Sequence, residues 1–306
     1  MGGTRVRVVD VAEVWRDHRR WSNTTNRLKK SIAFWRSLAL VLAIMGAVLA
    51  TLASQAGAGM SWTRYVSGLA AGALALVPVI HGAKLGRRAV EAWTRARAAS
   101  EALKTAVYLY STRTPPYSGD DRDLRLREAA DAIVADVGDL EGYTLGSPGN
   151  DKPVPAVTDV DSYMESRVQP QIDNYYRPRA ARLQKRLRLF RGAEYALAML
   201  AALLGALAAA TGTVALAAWV AAVTTVGAAV TAHIAAARYE RLVISYLATA
   251  RRLRFLVNSW SSGGSRDAQV ASRLVRECED AISRENESWM AEWSRDEGAA
   301  PSAAGS

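Results

Sequence analysis

YALAMLAALLGALAAATGTVALAAWVAAVTTVGAAVTAHIAAA, residues 195–237, contains no Asp, Glu, Lys or Arg and is bounded by Glu194 and Arg238. A membrane-spanning helix needs about 20 apolar residues, so the run is long enough for two. Thr211-Gly212-Thr213 stands where a tight turn would join them. The stretch reads as a membrane hairpin with spans over about 194–211 and 214–236. The competing reading is a buried helical pair in a soluble protein, because Ala, Val and Thr make 214–237 less hydrophobic than a usual lipid-facing span. Basic flanks and a second hairpin of the same kind favour the bilayer.

That other hairpin comes earlier. Residues 37–63 and 66–83 are uncharged, and only Arg64 and Tyr65 separate them. Spans are predicted over about 37–55 and 65–84, joined through a Ser-Gln-Ala-Gly-Ala-Gly loop. Residues 11–36 lead into the first span without a breaker, as an amphipathic helix rich in Arg and carrying Trp15, Trp21 and Trp35. The fold class predicted is therefore all-α, an integral membrane protein with four spans in two tandem hairpins and long helices extending into a cytoplasmic bundle.

Charge sets the orientation. The formal net charge is +10, which would suit nucleic acid, but the cations cluster beside the apolar runs, where anionic headgroups lie. No nucleic-acid partner is expected. Lys29, Lys30 and Arg36 precede the first hairpin and Arg87 and Arg88 follow it, while Arg182, Lys185, Arg186, Arg188 and Arg191 precede the second and Arg238 follows it. These are the candidate headgroup contacts. Cationic flanks stay cytoplasmic, so both termini are expected there, in a multi-pass protein of the bacterial inner membrane. The Arg177–191 run could instead bind a nucleotide or another polyanion. Arg251, Arg252 and Arg254 lie beyond lipid reach and could meet a partner or the acidic residues 277–287. For those acids, including Glu277 and Glu279, a solvated or salt-bridged helix face fits better than cation binding.

Enzyme chemistry finds little support. Cys278 is the lone cysteine and His18, His81 and His233 are far apart, so neither a cysteine-based zinc site nor a histidine pair can form from neighbouring residues. There is no glycine-rich phosphate loop and no nucleophile elbow. No catalytic residue, cofactor or metal is expected. The first 36 residues carry many charges before any apolar run, unlike a secretory signal.

Helices are expected to continue past each hairpin over 87–111 and 238–260, ending at Thr114-Pro115-Pro116 and at Ser261-Ser262-Gly263-Gly264. A further helix comes next in each half, over 120–140 and 265–293. Gly and Pro crowd residues 142–161, which read as a linker dividing a first repeat, 1–141, from a second, 162–295; residues 296–306 read as a disordered tail. The halves repeat in detail: Arg27-Leu28-x-Lys30 parallels Arg182-Leu183-x-Lys185, and Glu128-x-x-Asp131-Ala132-Ile133 parallels Glu277-x-x-Asp280-Ala281-Ile282. Each unit holds an even number of spans, so the repeat is parallel rather than inverted.

The second half resembles a known family. Tyr163, Arg167, Tyr175-Tyr176, the basic run to Arg191, the hairpin, and Glu277-Cys278-Glu279 through Glu285-Asn286-x-x-Trp289 are similar to a SLATT domain, the SMODS and SLOG-associating two-transmembrane effector. The first half resembles a more divergent copy without the Glu-Asn-x-x-Trp ending. The resemblance implies a membrane effector of bacterial conflict systems that perforates or perturbs the inner membrane, with a separate nucleotide-signal sensor or synthase as partner. It brings no catalytic residues.

Within the spans, Gly68 and Gly72, and Ala201, Gly205 and Ala209, fall at four-residue spacing and, with Gly227, offer surfaces for close helix approach. Pro78 could kink its span. His81 and His233 either line a pore that responds to protonation or reach headgroups at the interface. A homo-oligomer is expected, because four thin Ala-rich helices hardly enclose a water-filled path. The alternative function is a membrane-anchored scaffold that presents its cytoplasmic bundle to a partner.

Overall fold

The computed structural model describes residues 11–56, 60–147, 152–263 and 266–296, and among them the fold is all-α without a strand. Helix α1, Val11–Gln55, runs unbroken for 45 residues. It contains no Pro and a single glycine, Gly46, so nothing forces an interruption where the amphipathic part becomes apolar. α2, Thr63–Lys84, returns with Pro78 inside it. Part of the loop expected between them, residues 57–59, lies outside the described residues.

Helix α3, Arg87–Ser111, has the bounds its sequence predicts. The single helix expected over 120–140 is shorter: α4 spans Arg122–Asp136, and a 3-10 turn over Gly138–Thr144 succeeds it. Gly138 and Gly142 weaken the α-form there. In the linker region, residues 148–151 are outside the described residues, while Ser147 and Val157 are buried. Asp159 caps α5, Val160–Tyr163, by accepting from the Ser162 amide at 2.8 Å, and Ser162 Oγ accepts from the Asp159 amide in return. Two π-helical turns, Met164–Val168 and Gln171–Tyr176, lie either side of Pro170 and lead into α6, Arg177–Thr211. Proline supplies no N–H, and the wider turns carry the chain past it.

At Gly212 φ is +65°, a left-handed turn that glycine adopts without strain. α7, Val214–Ala237, starts two residues later. α8 covers Tyr239–Ser262 and α9 Ala268–Asp296. Residues 297–306, most of the expected tail, and the side chains of the Glu285-Asn286-x-x-Trp289 ending are outside the described residues.

Contrary to expectation, the second helix of each hairpin does not run on unbroken beyond the apolar stretch. α2 gives way to α3 at Leu85-Gly86, and α7 to α8 at Arg238, whose φ of 49° and ψ of 36° are left-handed. A side chain at position 86 would meet the Gly82 carbonyl oxygen at 2.7 Å, so glycine is what this break requires.

The chain forms two compact units, each built from both sequence repeats. The first gathers the residues up to Lys29, Glu91–Arg179 and those from Ser245 on. α3 buries Ala92, Ala96, Ala99, Leu103 and Ala106, an alternation of four and three residues that keeps one face turned inward. Around that face lie Trp15 and Trp21 of α1, Leu126 of α4, Tyr163, Ile172 and Tyr176, Leu253 of α8, and Val275 and Cys278 of α9. Trp15 meets Tyr108 edge-on at 6.3 Å, and Tyr108 meets Tyr163 at 5.7 Å.

Lys30–Val90 and Ala180–Ile244 make the second unit. Among the described residues four helices are long and apolar enough to cross a membrane, and their apolar stretches belong here. Little of these stretches is buried, and in α6 none is. Tyr195, Met199, Leu203 and Leu207 stand outward on α6 and Leu69, Leu76 and Val79 on α2. Water would not tolerate so continuous an exposed apolar surface. This is an all-α membrane protein.

Candidate functional site

The spans of the second unit hold the residues singled out in the sequence. Close packing inside the first hairpin falls on Gly46: a Cβ there would lie 2.6 Å from Leu74 and 3.3 Å from the Ala70 carbonyl oxygen. Ala39, Ala47 and Ala70 are buried beside this approach. The sequence pattern did not single out Gly46, although Ala50 stands four residues on, because what makes it matter is Leu74 on the neighbouring helix. Gly68 and Gly72 are exposed instead, and an added Cβ at either would meet nothing within 4 Å. Gly205 and Gly227 also have open space beside them; Ala201 is half-buried and Ala209 exposed. Pro78 lies within α2, exposed.

The turn ends of the hairpins meet, since Gln55 Nε2 donates to the Ala215 carbonyl at 3.3 Å. At the opposite end Thr231 donates to Glu194, and Arg191 pairs with Glu240 at 2.8 Å. The two histidines are placed differently. His81 is exposed and its Nδ1 lies 2.9 Å from the Val77 carbonyl of its own helix. His233 is buried, 4.9 Å from the Phe190 ring, with its Nε2 3.4 Å from the Tyr239 hydroxyl. Phe190 in turn stacks on Tyr239 at 6.0 Å. His233 is thus part of an aromatic packing site where α6, α7 and α8 come together.

Of the cations, Lys30, Arg87, Arg88, Arg182, Lys185, Arg186, Arg188 and Arg191 are exposed, and Arg36 and Arg238 are half-buried. Lys84 stands over the Trp35 ring at 5.6 Å. Two residues before the first span belong to the other unit. Lys29 lines a cleft, and Arg27 donates to the Leu145 carbonyl at 2.9 Å and to that of Tyr143, capping the 3-10 turn.

The most concentrated chemistry of the first unit is a buried ion pair. Arg167 and Glu279 side chains are 1% and 2% exposed, which is rare for charged residues unless paired. Glu279 accepts four hydrogen bonds: Arg167 Nε and Nη2 at 3.0 Å each, Tyr163 Oη at 2.8 Å and Thr105 Oγ1 at 2.7 Å. Burial works against its ionised form, but Arg167 and these donors outweigh burial and hold the carboxyl below its usual range. Arg167 also lies 3.6 Å from Glu101 and under the Tyr108 ring at 5.0 Å. The same forces in reverse keep the guanidinium fully charged despite burial.

Sequence reasoning placed Glu279 on a solvated or salt-bridged face. The salt bridge is there and the solvent is not. Its neighbours Val275, Cys278 and Ile282 are buried on the same side of α9, so the apolar stripe already contained the signal. Glu277, two residues away, points out and pairs with Arg252 at 2.7 Å, and Arg254 pairs with Asp173 at 3.2 Å. Arg252 thus meets the acidic helix, as the sequence allowed. Burial also pushes the Cys278 thiol well up, away from reactivity.

His18 completes this interior. It is 3% exposed, and its Nδ1 donates to the Ser100 carbonyl at 2.8 Å. Burial first and Lys104 second lower its pKa to about 4, so the ring is neutral at pH 7.

Similarity to known proteins divides by sequence half, not by compact unit. No curated protein and no solved structure matches the chain. Residues 17–123 match the model of a family described as a protein of unknown function (DUF4231). Residues 163–289 match SMODS and SLOG-associating 2TM effector domain 1, from the buried Tyr163 through the second hairpin to α9. Over residues 163–289, from Tyr163 to Trp289, the chain thus matches the SLATT domain, a two-transmembrane effector family.

Proposed function

We propose that this protein is a membrane effector of a bacterial conflict system, which assembles with copies of itself and makes the inner membrane leaky. The match of residues 163–289 to an effector domain family carries the reading. Two physical features support it. The spans bury little of their apolar surface within the chain, and Gly68, Gly72, Gly205 and Gly227 face open space. Small residues without neighbours let a second helix approach closely in lipid, and assembly is the simplest way to use them.

The basic flanks support a multi-pass arrangement with both termini and the first unit on the cytoplasmic side. Activity comes from assembly rather than from catalysis, and a separately encoded sensor or synthase supplies the trigger. Induced expression with the activating partner should admit a membrane-impermeant dye and collapse the membrane potential. An intact potential at high expression, with the partner active, would remove the proposal. Reporter fusions at both termini test the orientation.

A scaffold role is favoured by one observation, the extensive core of the first unit with its buried ion pair, which resembles an independent docking module. Replacing both hairpins by an unrelated anchor separates the readings. A scaffold keeps its function, and a leak-forming effector loses it.

A further inference from the structure

A half-open cleft of about 210 Å³ lies within the first unit, on the flank of the buried ion pair. Four cations line it, and they arrive from three helices: Lys29 from α1, Arg97 and Lys104 from α3, and Arg179 from the start of α6. Glu101 is the one carboxylate in the lining, and it already faces Arg167 at 3.6 Å. Like charges gathered from distant parts of a chain repel, and folding must overcome that repulsion. Burial first and Arg167, just behind the lining, second lower the Lys104 pKa to about 8, while Lys104 and Arg167 outweigh burial to hold Glu101 at about 2. Thr25, also in the lining, has a hydroxyl shielded from water and without a hydrogen-bond partner.

We propose that this cleft binds a small soluble phosphorylated anion, seating a phosphate or diphosphate group among Lys29, Arg97, Lys104 and Arg179. Size narrows the choice. Pockets that enclose a whole drug-sized ligand run to about 300–1,000 Å³, so this one holds a compact anion, or the terminal phosphoryl end of a larger molecule that projects out. Multiple charge-assisted hydrogen bonds to one dianion provide the affinity. The binding goes beyond the effector reading and does not depend on membrane leak.

Calorimetric titration of the full chain in phosphatidylcholine nanodiscs, with inorganic pyrophosphate and with ATP as probes, tests it. The Lys29→Gln plus Arg97→Gln variant should bind at least about tenfold more weakly, a loss of about 1.4 kcal/mol. Arg273→Gln plus Arg276→Gln, exposed cations on α9, should bind as wild type. Equal weakening in both variants, or no binding of either probe by wild type, overturns the proposal. So does binding seen only with nanodiscs doped with phosphatidic acid, which would assign the cleft to a lipid headgroup. Should the cleft variant misfold, acetylation of Lys29 and Lys104 in the wild-type chain gives the answer: pyrophosphate should slow it, and unchanged labelling overturns the proposal.

Discussion

At the scale of residues, the first unit rests on charges held dry. Removing one partner of a buried pair leaves the other uncompensated, at a cost of about 3–5 kcal/mol. Arg167→Ala and Glu279→Ala should each lower the unfolding temperature of the detergent-solubilised chain strongly. Arg167→Met combined with Glu279→Leu removes both charges and should recover much of that loss, and a double variant no more stable than the singles would contradict it. His18 gives the pH dependence. Its folded pKa is about 4 against an ordinary 6.5, so between those values the unfolded chain binds a proton that the folded chain refuses. Stability therefore falls as pH drops from 6.5 toward 4, by up to about 3 kcal/mol from this ring. Glu279, held low, adds to the loss at pH values below its unfolded range. In His18→Gln the slope between pH 6.5 and 5 should flatten. An unchanged slope would place the titrating group elsewhere.

Among the helices, hydropathy and breakers locate elements well, because each is a local property of the chain. α3 and the α6–α7 turn at Gly212 were legible for that reason. Glycines were not, since whether a missing Cβ matters depends on what another helix puts beside it. Gly46 lies against Leu74 and Gly72 against open space, yet nothing in their local sequence separates them. Gly46→Leu should therefore destabilise the first hairpin of a single chain, read as a lower unfolding temperature in detergent. Gly72→Leu should leave that temperature unchanged and weaken association, read by crosslinking in membranes. The reverse pattern would mean that the two faces have been assigned the wrong way round. The break between α2 and α3 offers another check. Gly86→Ala brings a methyl to 2.7 Å from the Gly82 carbonyl, and backbone must shift to admit it. A destabilisation of about 1–3 kcal/mol is expected, with a loss of helix-end protection in hydrogen exchange around Leu85.

For the whole molecule, the sequence halves read as a repeated plan, but that pattern says nothing of how they share their interiors. Glu279 illustrates why: its partners Thr105, Tyr163 and Arg167 are 112 to 174 residues distant, beyond any local pattern. Both compact units mix residues from the two copies. The ion pair belongs to the second copy, while Thr105, Glu101 and Tyr108, which close it off from water, belong to the first. A gene cut in the linker would separate the lid from the charge it covers. Each fragment expressed alone should be degraded, and the two expressed together should rescue each other and co-purify. The two halves of the chain share one interior, and that makes them one heritable unit: recombination can exchange the pair, not a single half.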